Sequence, residues 1–362
     1  MKRTIAILLS MMMCAGLLAG CGVAPAPSDA AASAAASAAQ PASEPAEPAA
    51  PAASATGAVP TGDKPIALLI PSPVGDPFIA LCVKGLEKLS EETGAELKII
   101  ETLDKAEYED QVRAMAELGA NPVYCMWGDL SELAVKVAPE YPDTKFILAD
   151  VYMKTNQPNV SSISVDPYAS SFIAGYIAAN STEVGKVGFI AHADRPVSRR
   201  YRDGFIAGVH YVDESIPVEV AYVGNDQDPV KGQEVAKLMI QNNGVDLIFQ
   251  SASRSGLGVI AGCADQGIKC IGSDDWQGDV DPCVFWSALK PFDEALYVEG
   301  KSVFDGTYES GDKAYGLEQG LPMYDQRDFD KLPEELQQGV LAVVEGIKSG
   351  EIQITEDENV VQ

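Results

Sequence analysis

The chain has 362 residues, a hydrophobic fraction of 46% and a formal net charge of −27, from 26 Lys and Arg against 53 Asp and Glu. This apolar content is that of a globular protein, and the length allows one large or two ordinary domains. A strongly acidic surface repels phosphate groups, so we expect no nucleic-acid partner. The sequence contains two histidines, which argues against multi-histidine metal sites and histidine-relay catalysis.

The first residues have the pattern of a lipoprotein signal peptide. Lys2 and Arg3 provide a positive start, and the apolar stretch over residues 5–18 is too short for a permanent transmembrane helix. It ends in Leu-Ala-Gly-Cys at residues 18–21, with small residues directly before a cysteine. We therefore predict a signal peptide over 1–20 and a lipidated Cys21 that anchors the protein to the outer face of the cell membrane. The alternative is an ordinary secretory signal with a chance cysteine.

Residues 21–62 comprise this cysteine and a predicted tether. Between residues 22 and 62 the chain has 18 Ala, 7 Pro and 5 Ser and no aromatic residue. Such a segment cannot bury enough apolar surface to offset the entropy of ordering, and its frequent prolines interrupt any alanine-rich helix. We expect it to hold a folded domain away from the membrane.

The chain from residue 63 onward alternates short apolar runs with amphipathic stretches. This alternation is typical of right-handed βαβ units and a parallel, doubly wound sheet. The number of strands favours two sheets over one, and therefore an α/β protein of two lobes. The predicted strands lie at 66–70, 96–100, 123–126, 145–148, 187–190, 218–222, 246–249 and 270–272, and predicted helices include 85–93, 108–118 and 333–349.

Chemically distinctive residues follow several of these strands. In open α/β sheets, ligands bind at the carboxyl ends of the strands, so these loops are the candidate site. The loops are Pro-Ser-Pro-Val-Gly-Asp-Pro-Phe at 71–78, Trp-Gly-Asp at 127–129, Ser-Ala-Ser-Arg-Ser-Gly-Leu-Gly at 251–258 and Gly-Ser-Asp-Asp-Trp-Gln at 272–277. We expect their aromatic, acidic and small residues to gather at one cleft.

Several motifs, in the same order along the chain, resemble the basic membrane lipoprotein family. Gly-Phe-Ile at 188–190 and Pro-Val-Ser-Arg-Arg-Tyr-Arg-Asp-Gly-Phe-Ile-Ala-Gly at 196–208 are similar to the central signature of that family. Further matching motifs lie at 222–232, 250–258, 271–274, 287–290 and 345–352. The resemblance extends over essentially all of residues 64–354.

This resemblance implies a type I periplasmic-binding-protein fold whose two lobes are joined by a three-segment hinge. Lobe 1 is expected over 63–166 with about 289–320, and lobe 2 over 167–288 with about 321–362. The resemblance also implies a monomeric substrate-binding lipoprotein that closes on a small-molecule ligand and delivers it to an ABC permease and its ATPase. The best-understood family members resemble purine nucleoside receptors, while relatives bind riboflavin or other ligands.

The resemblance further implies which residues contact the ligand. Phe78 corresponds to the aromatic residue that stacks on the base, and Asp76 precedes it in the same loop. Asp274 occupies the position that relatives use for the ribose hydroxyls, and Lys290 corresponds to a hinge-proximal lysine. Ile79 stands where the family carries an Asn for the base edge, which leaves the recognition of a purine open.

Other candidates come from loops where this sequence departs from the family. Asp129 can replace the lost amide at the base edge, and Arg254 brings a cationic, stacking-capable side chain to the glycine-rich loop. Trp276 replaces a second acid of the family, and Trp127 is a candidate wall of the cleft. Phe172, at the start of a predicted helix, completes the set.

Five of the candidates have a purely structural alternative. Asp76 is equally typical of a helix N-cap, and Phe78 of an apolar contact at a helix start. Trp127 and Trp276 also suit a core position, and Phe172 suits helix packing. The ligand class stays open as well, because a free base, riboflavin or another small ligand fits the same receptor, which could also act as a ligand sensor rather than in transport.

The sequence carries no motif for catalysis. It has no Gly-x-Ser-x-Gly, Walker loop or Cys-x-x-Cys, so we expect neither enzymatic activity nor a cofactor. Secretion permits disulfides, but an odd number of cysteines follows Cys21 and several lie in predicted elements, so we expect reduced thiols. These cysteines are at positions 82, 125, 263, 270 and 283.

Overall fold

The computed structural model describes residues 64–354, and the signal peptide, Cys21 and tether predicted over 1–62 lie outside them. The described chain forms two parallel β-sheets, each covered by helices on both faces. This arrangement confirms the predicted α/β architecture of two doubly wound lobes. Within this part of the chain, no helix has the length and apolar character needed to cross a membrane.

Lobe 1 is built on a six-stranded parallel sheet. Its strands are β1 (Ile66–Ile70), β2 (Leu97–Glu101), β3 (Val123–Met126), β4 (Phe146–Ala149), β5 (Val160–Val165) and β11 (Gly311–Tyr315), in the spatial order β11-β5-β4-β3-β1-β2. One face is covered by α1 (Pro77–Thr93) and α8 (Phe292–Phe304), and the other by α2 (Tyr108–Glu117) and α3 (Trp127–Val137). Because both faces are covered, β1 is apolar and buried along its whole length.

Lobe 2 is built on a five-stranded parallel sheet. Its strands are β6 (Val187–Ala191), β7 (Val218–Tyr222), β8 (Leu247–Ser251), β9 (Lys269–Asp274) and β10 (Val284–Leu289), in the spatial order β10-β9-β8-β6-β7. The covering helices are α4 (Tyr168–Ser181), α5 (Pro196–Val212), α6 (Pro229–Asn243), α7 (Ser253–Gln266) and α10 (Glu334–Lys348), with the short α9 (Gln326–Phe329) before the last. Phe189, Phe249 and Trp286 fill the core between the sheet and α4, α5 and α10.

The chain passes between the two lobes three times, after β5, after β10 and after β11. At the first crossing, Arg200 Nε donates to Asp166 Oδ1 at 3.1 Å, and the guanidinium lies 4.5 Å from the centre of the Tyr168 ring. The first crossing is therefore attached to α5, a helix of lobe 2, by a buried charged side chain.

The eight predicted strands are confirmed, each within two residues of its predicted bounds. Three further strands were not predicted: β5, which contains three serines in six residues, the largely apolar β10, and β11, the polar segment Gly-Asp-Lys-Ala-Tyr. The five cysteines of the described chain are free thiols, as expected. Four of them are buried and behave as small apolar side chains in the two cores.

Candidate ligand-binding site between the lobes

Backbone strain marks the carboxyl ends of four strands. Within residues 64–354, the non-glycine residues with positive φ are Trp127 (61°), Asp150 (59°), Ser253 (50°) and Asp274 (70°). The first two follow β3 and β4 of lobe 1, and the other two lie at the ends of β8 and β9 of lobe 2. Side chains in this region cost about 1–2 kcal/mol each, and such strain clusters at functional sites. The carboxyl edges of both sheets are therefore the candidate site.

The two edges face each other, because a loop of one lobe contacts a loop of the other. Asp76, between β1 and α1, accepts a hydrogen bond on Oδ2 from Gln227 Nε2 at 2.9 Å, and Gln227 lies between β7 and α6. The other carboxylate oxygen caps α1 by accepting from the backbone N–H groups of Phe78 (2.9 Å) and Ile79 (3.4 Å). Both oxygens of this buried carboxylate are thus already engaged by the protein.

A buried ion pair lies on the lobe 1 side of the cleft. Lys290 Nζ is 2.6 Å from Asp150 Oδ1, and the two side chains are 3% and 15% exposed. Trp127 Nε1 donates to the second oxygen of the same carboxylate at 3.2 Å. The Lys290 ammonium also lies 4.6 Å from the centre of the Phe78 ring, which packs on Phe292 with ring centres 5.6 Å apart. Cationic, acidic and aromatic groups are therefore held together in fixed orientations.

Asp274 provides a second carboxylate on the lobe 2 side. It accepts hydrogen bonds from the Tyr201 hydroxyl on Oδ1 and from Ser273 Oγ on Oδ2 at 3.2 Å. Its backbone carbonyl accepts from the N–H of Lys290 at 2.9 Å, which brings the two predicted ligand contacts side by side. Burial raises the pKa of the Asp274 carboxyl, while Lys290, Tyr201 and Ser273 oppose the rise. A carboxylate that has lost water in this way favours hydroxyl donors from a ligand.

The structure does not bring all of the predicted residues to this cluster. Asp129 is exposed in the first turn of α3, where it pairs with Lys105. Trp276 donates from Nε1 to Asp328 at 3.0 Å and lies under the guanidinium of Arg327, so its contacts are with the segment around α9. Arg254 is exposed in the first turn of α7, at the same edge as the cluster.

Phe172 lies in the tight packing between α4 and α5. A Cβ built on Gly208 would lie 1.9 Å from the Phe172 carbonyl oxygen, so only glycine allows the two helices to approach this closely. The Phe172 ring is 4% exposed and packs against Tyr211 with ring centres 5.5 Å apart. Its contacts are those of a helix-packing residue near the far end of α5.

Three residues of the site were missed by the sequence reasoning. Asp150 directly follows β4, so the rule that ligands bind at the carboxyl ends of strands (the strand-end rule) identifies it once it is applied to that strand. Tyr201 and Gln227 lie on α5 and in the loop before α6, and they reach Asp274 and Asp76 only through the tertiary fold. Among the described residues, no group of three or more His, Cys, Asp or Glu is placed to hold a metal ion.

Two doubly wound parallel sheets, with strained and charged residues at facing carboxyl edges, define a two-lobed α/β fold of the periplasmic-binding-protein type. The fold is similar to the crystal structure of an ABC transporter system solute-binding protein from Aeropyrum pernix K1. That likeness has a TM-score of 0.69 and 24% sequence identity, and it covers 82% of this chain and 95% of the other.

The chain belongs to the Bmp family, described as ABC transporter substrate-binding protein PnrA-like, whose family model matches residues 64–358. The match confirms the family resemblance drawn from the motifs. Basic membrane protein A2 of Borrelia garinii subsp. bavariensis is 26% identical over 273 residues, which are 73% of this chain and 80% of that protein. A purine-binding protein of Brucella abortus is 27% identical over 248 residues, 68% of this chain and 69% of that protein.

Proposed function

We propose that this ABC transporter substrate-binding protein is a lipid-anchored receptor that binds a purine nucleoside, or a related small polar aromatic ligand, between its lobes. The observation that carries the proposal is the cluster of Phe78, Lys290 and Asp150 together with Asp274 and Tyr201. It offers an aromatic ring, a cation and two carboxylates within one cleft. The purine-binding relative of Brucella abortus supports the ligand class.

In the proposed complex, Phe78 stacks on the base and Asp274 accepts hydrogen bonds from the ribose hydroxyls. Base–aromatic stacking contributes about 1–3 kcal/mol in proteins that bind single-stranded nucleic acids, which is a guide to Phe78. Lys290 adds a second polar contact. Trp127, which is held in place by its hydrogen bond to Asp150, forms a wall of the cleft. Arg254 is exposed at the same edge, where it is accessible to a ligand.

Asp76 takes a different part in this proposal. Its two oxygens are occupied by the N-terminus of α1 and by Gln227, so it positions Phe78 at the start of the helix and links the lobes. Asp129 and Trp276 remain candidates for contacts at the rim of the cleft. Phe172 packs against Tyr211 on α5 and so stabilises the position of that helix.

The family implies that the receptor works outside the cytoplasm with an ABC permease and its ATPase. We propose that a monomer acts as a carrier without catalytic activity, held at the membrane by lipidated Cys21. Replacement of Cys21 by Ser is expected to leave the protein unprocessed or soluble and to abolish metabolic labelling with a radioactive fatty acid. Labelling that survives this replacement would show that the anchor is elsewhere.

Isothermal titration calorimetry tests the ligand. The panel is adenosine, guanosine, inosine, the corresponding free bases, riboflavin and simple sugars. We expect tight binding of at least one nucleoside, and a rise in the unfolding temperature of the protein with the same compound. If every nucleoside fails while a free base, riboflavin or a sugar binds tightly, the protein is a receptor of that other class and the nucleoside assignment is wrong.

A further inference from the structure

The carboxyl edge of the lobe 2 sheet carries polar groups beyond Asp274. Strands β9, β8 and β6 are neighbours in that order, and they lead into Asp274, Ser251 and His192. The register of β6 and β8 pairs Ala191, next to His192, with Ser251. Neighbouring strands lie about 4.8 Å apart, so His192 is roughly 10 Å from Asp274 along this edge.

Three side-chain atoms in this region are buried and have no hydrogen-bond partner within residues 64–354: His192 Nδ1, Ser251 Oγ and Ser198 Oγ. Ser198 and Ser251 are 1% and 6% exposed. Ser198 lies in the first turn of α5, one turn before Tyr201, so it shares the helix face from which Tyr201 reaches Asp274. Folded proteins pair nearly all of their buried polar atoms, so these three atoms are candidates for a hydrogen bond with a ligand.

The surroundings of His192 restrict the kind of ligand group that suits it. Burial lowers the pKa of this imidazole and Arg195 acts in the same direction, and together they outweigh the opposing effects of Asp226, the Ser251 carbonyl and Asp274. The ring is therefore neutral near pH 7, and a neutral imidazole has one nitrogen that accepts a hydrogen bond. Because two carboxylates act on the same ring, an anionic ligand group is disfavoured and a neutral donor is favoured.

We propose that His192, Ser251 and Ser198 form a polar subsite on the wall of lobe 2, in which His192 Nδ1 accepts a hydrogen bond from an O–H or N–H group of the ligand. This inference rests on the proposed function, since it concerns the same ligand between the lobes. A nucleoside whose ribose is held by Asp274 is long enough to reach this subsite. The donor is then an edge of its base or its exocyclic hydroxymethyl group.

The two histidines of the sequence allow a direct test by NMR. Protein labelled with 15N-histidine gives two sets of imidazole signals, one from His192 and one from His210, which is exposed on α5. His192→Ala assigns them by removing one. Addition of the tightest-binding of adenosine, guanosine and inosine is expected to shift the Nδ1 resonance of His192 and to leave that of His210 in place. A side chain with a purely structural role would not show this selective shift.

Calorimetry with the same nucleoside measures the contribution to affinity. His192→Ala and Ser251→Ala are each expected to weaken binding by about 3- to 10-fold, whereas His210→Ala leaves it unchanged. Thermal unfolding of every variant shows that it is folded. The 5′-deoxy analogue distinguishes the two donors, because it loses the His192 shift if the hydroxymethyl group is the donor and keeps the shift if the base edge is.

The outcomes separate the inference from the function on which it rests. If the wild-type protein binds no nucleoside, both the nucleoside assignment and the subsite are wrong. If the wild-type protein binds a nucleoside but the His192 resonance does not move, and His192→Ala and Ser251→Ala bind as tightly as the wild type, the subsite alone is wrong. The inference would also be wrong if a nucleoside 5′-monophosphate bound more tightly than the nucleoside and His192→Ala abolished this gain. His192 would then contact an anionic phosphate rather than a neutral hydrogen-bond donor of the ligand.

Discussion

Asp274 combines two features that cluster at functional sites, a strained backbone and a perturbed carboxyl group. It has a left-handed backbone conformation, and burial raises the pKa of its carboxyl despite the nearby Lys290 and the hydrogen bond from Tyr201. The folded protein therefore binds the Asp274 proton more tightly than the unfolded chain does. The stability linked to this group is full below the ordinary pKa of 3.8 and is lost as the pH rises through the raised pKa of the folded state. At neutral pH, the ionised carboxylate destabilises the ligand-free protein.

We therefore predict opposite effects of Asp274→Asn on stability and on binding. At pH 7.5 the variant is expected to unfold a few degrees above the wild-type protein without ligand, and this advantage is expected to shrink towards pH 4. Binding of a riboside is expected to weaken by about 30-fold or more, since loss of a buried charged partner costs roughly 2–5 kcal/mol. Calorimetry and thermal unfolding across this pH range measure both effects.

The matched control is Asp305→Asn, which changes an exposed acid at the end of α8 that is paired with Lys301. We expect it to leave the unfolding temperature and the affinity close to wild type, because exposed ion pairs contribute little. A destabilised Asp274→Asn protein would show that the carboxylate is there for folding rather than for a ligand.

Single residues of the candidate site were predictable from the sequence where their position near a strand end or in a family motif was sufficient evidence. Phe78, Trp127, Asp274 and Lys290 follow from the strand-end rule and the family motifs, and they lie together. Asp129 obeys the same rule, but α3 begins at Trp127, so Asp129 falls in the first helical turn and faces Lys105. The direction of a side chain after a strand depends on whether the chain continues as a loop or enters a helix at once, and this was not readable from the motif.

At the scale of elements, a buried carboxylate on α8 attaches the edge strand β11 to lobe 1. Glu299 is 1% exposed and accepts hydrogen bonds from Lys313 Nζ at 2.8 Å and from the Tyr315 hydroxyl at 3.1 Å, both on β11. Ser161 on β5 donates to the same carboxylate at 2.7 Å. One side chain thus connects a helix with the last two strands at this edge of the sheet, next to the third crossing between the lobes.

We predict that Glu299→Gln destabilises the protein by roughly 2–4 kcal/mol, because the half-buried Lys313 loses its charged partner and the amide cannot accept all of the present hydrogen bonds. The control is Glu294→Gln on the same helix. Glu294 is exposed and pairs with the exposed Lys88 at 3.1 Å, so its loss is expected to cost no more than about 1 kcal/mol. Urea unfolding of both variants measures the difference, and equal effects would contradict the anchoring role of Glu299.

This anchor also explains why β11 could not be predicted from the sequence. Gly-Asp-Lys-Ala-Tyr has no apolar run and no clear alternation, and it pairs with β5 on one side only. Its strand conformation depends on partners more than ten residues away in the chain. The central strands β1 and β3 are apolar and buried on both faces, and their own composition was enough to predict them as strands.

At the scale of the whole molecule, the lobes touch across the cleft as well as through the three crossings. The hydrogen bond between the buried Asp76 and Gln227 joins loops that are 151 residues apart. A second contact, between Lys84 and Asp275 at 3.8 Å, is exposed and therefore weak. Contacts of this kind form only when the lobes are together, so they favour the closed over the open arrangement.

We predict that Gln227→Ala weakens ligand binding without weakening the fold. The amide of Gln227 contacts the other lobe, so its loss shifts the equilibrium between closed and open forms and leaves the core of each lobe unchanged. The dissociation rate of the ligand is expected to rise several-fold while the association rate changes little, since a latch formed after encounter acts on release. Stopped-flow measurements give both rates, and small-angle X-ray scattering gives the accompanying increase in the radius of gyration of the liganded protein.

Two variants make this last prediction specific to the contact between the lobes. Gln233→Ala removes a glutamine whose hydrogen bond to Asp265 stays within lobe 2, and we expect its rates to equal those of the wild type. Asp76→Ala removes the same link as Gln227→Ala but also the N-cap of α1, so it is expected to add a stability loss of about 0.5–2 kcal/mol. Unchanged dissociation in Gln227→Ala, or an equal change in Gln233→Ala, would show that the contact does not hold the lobes together, and closure would then depend on the ligand alone.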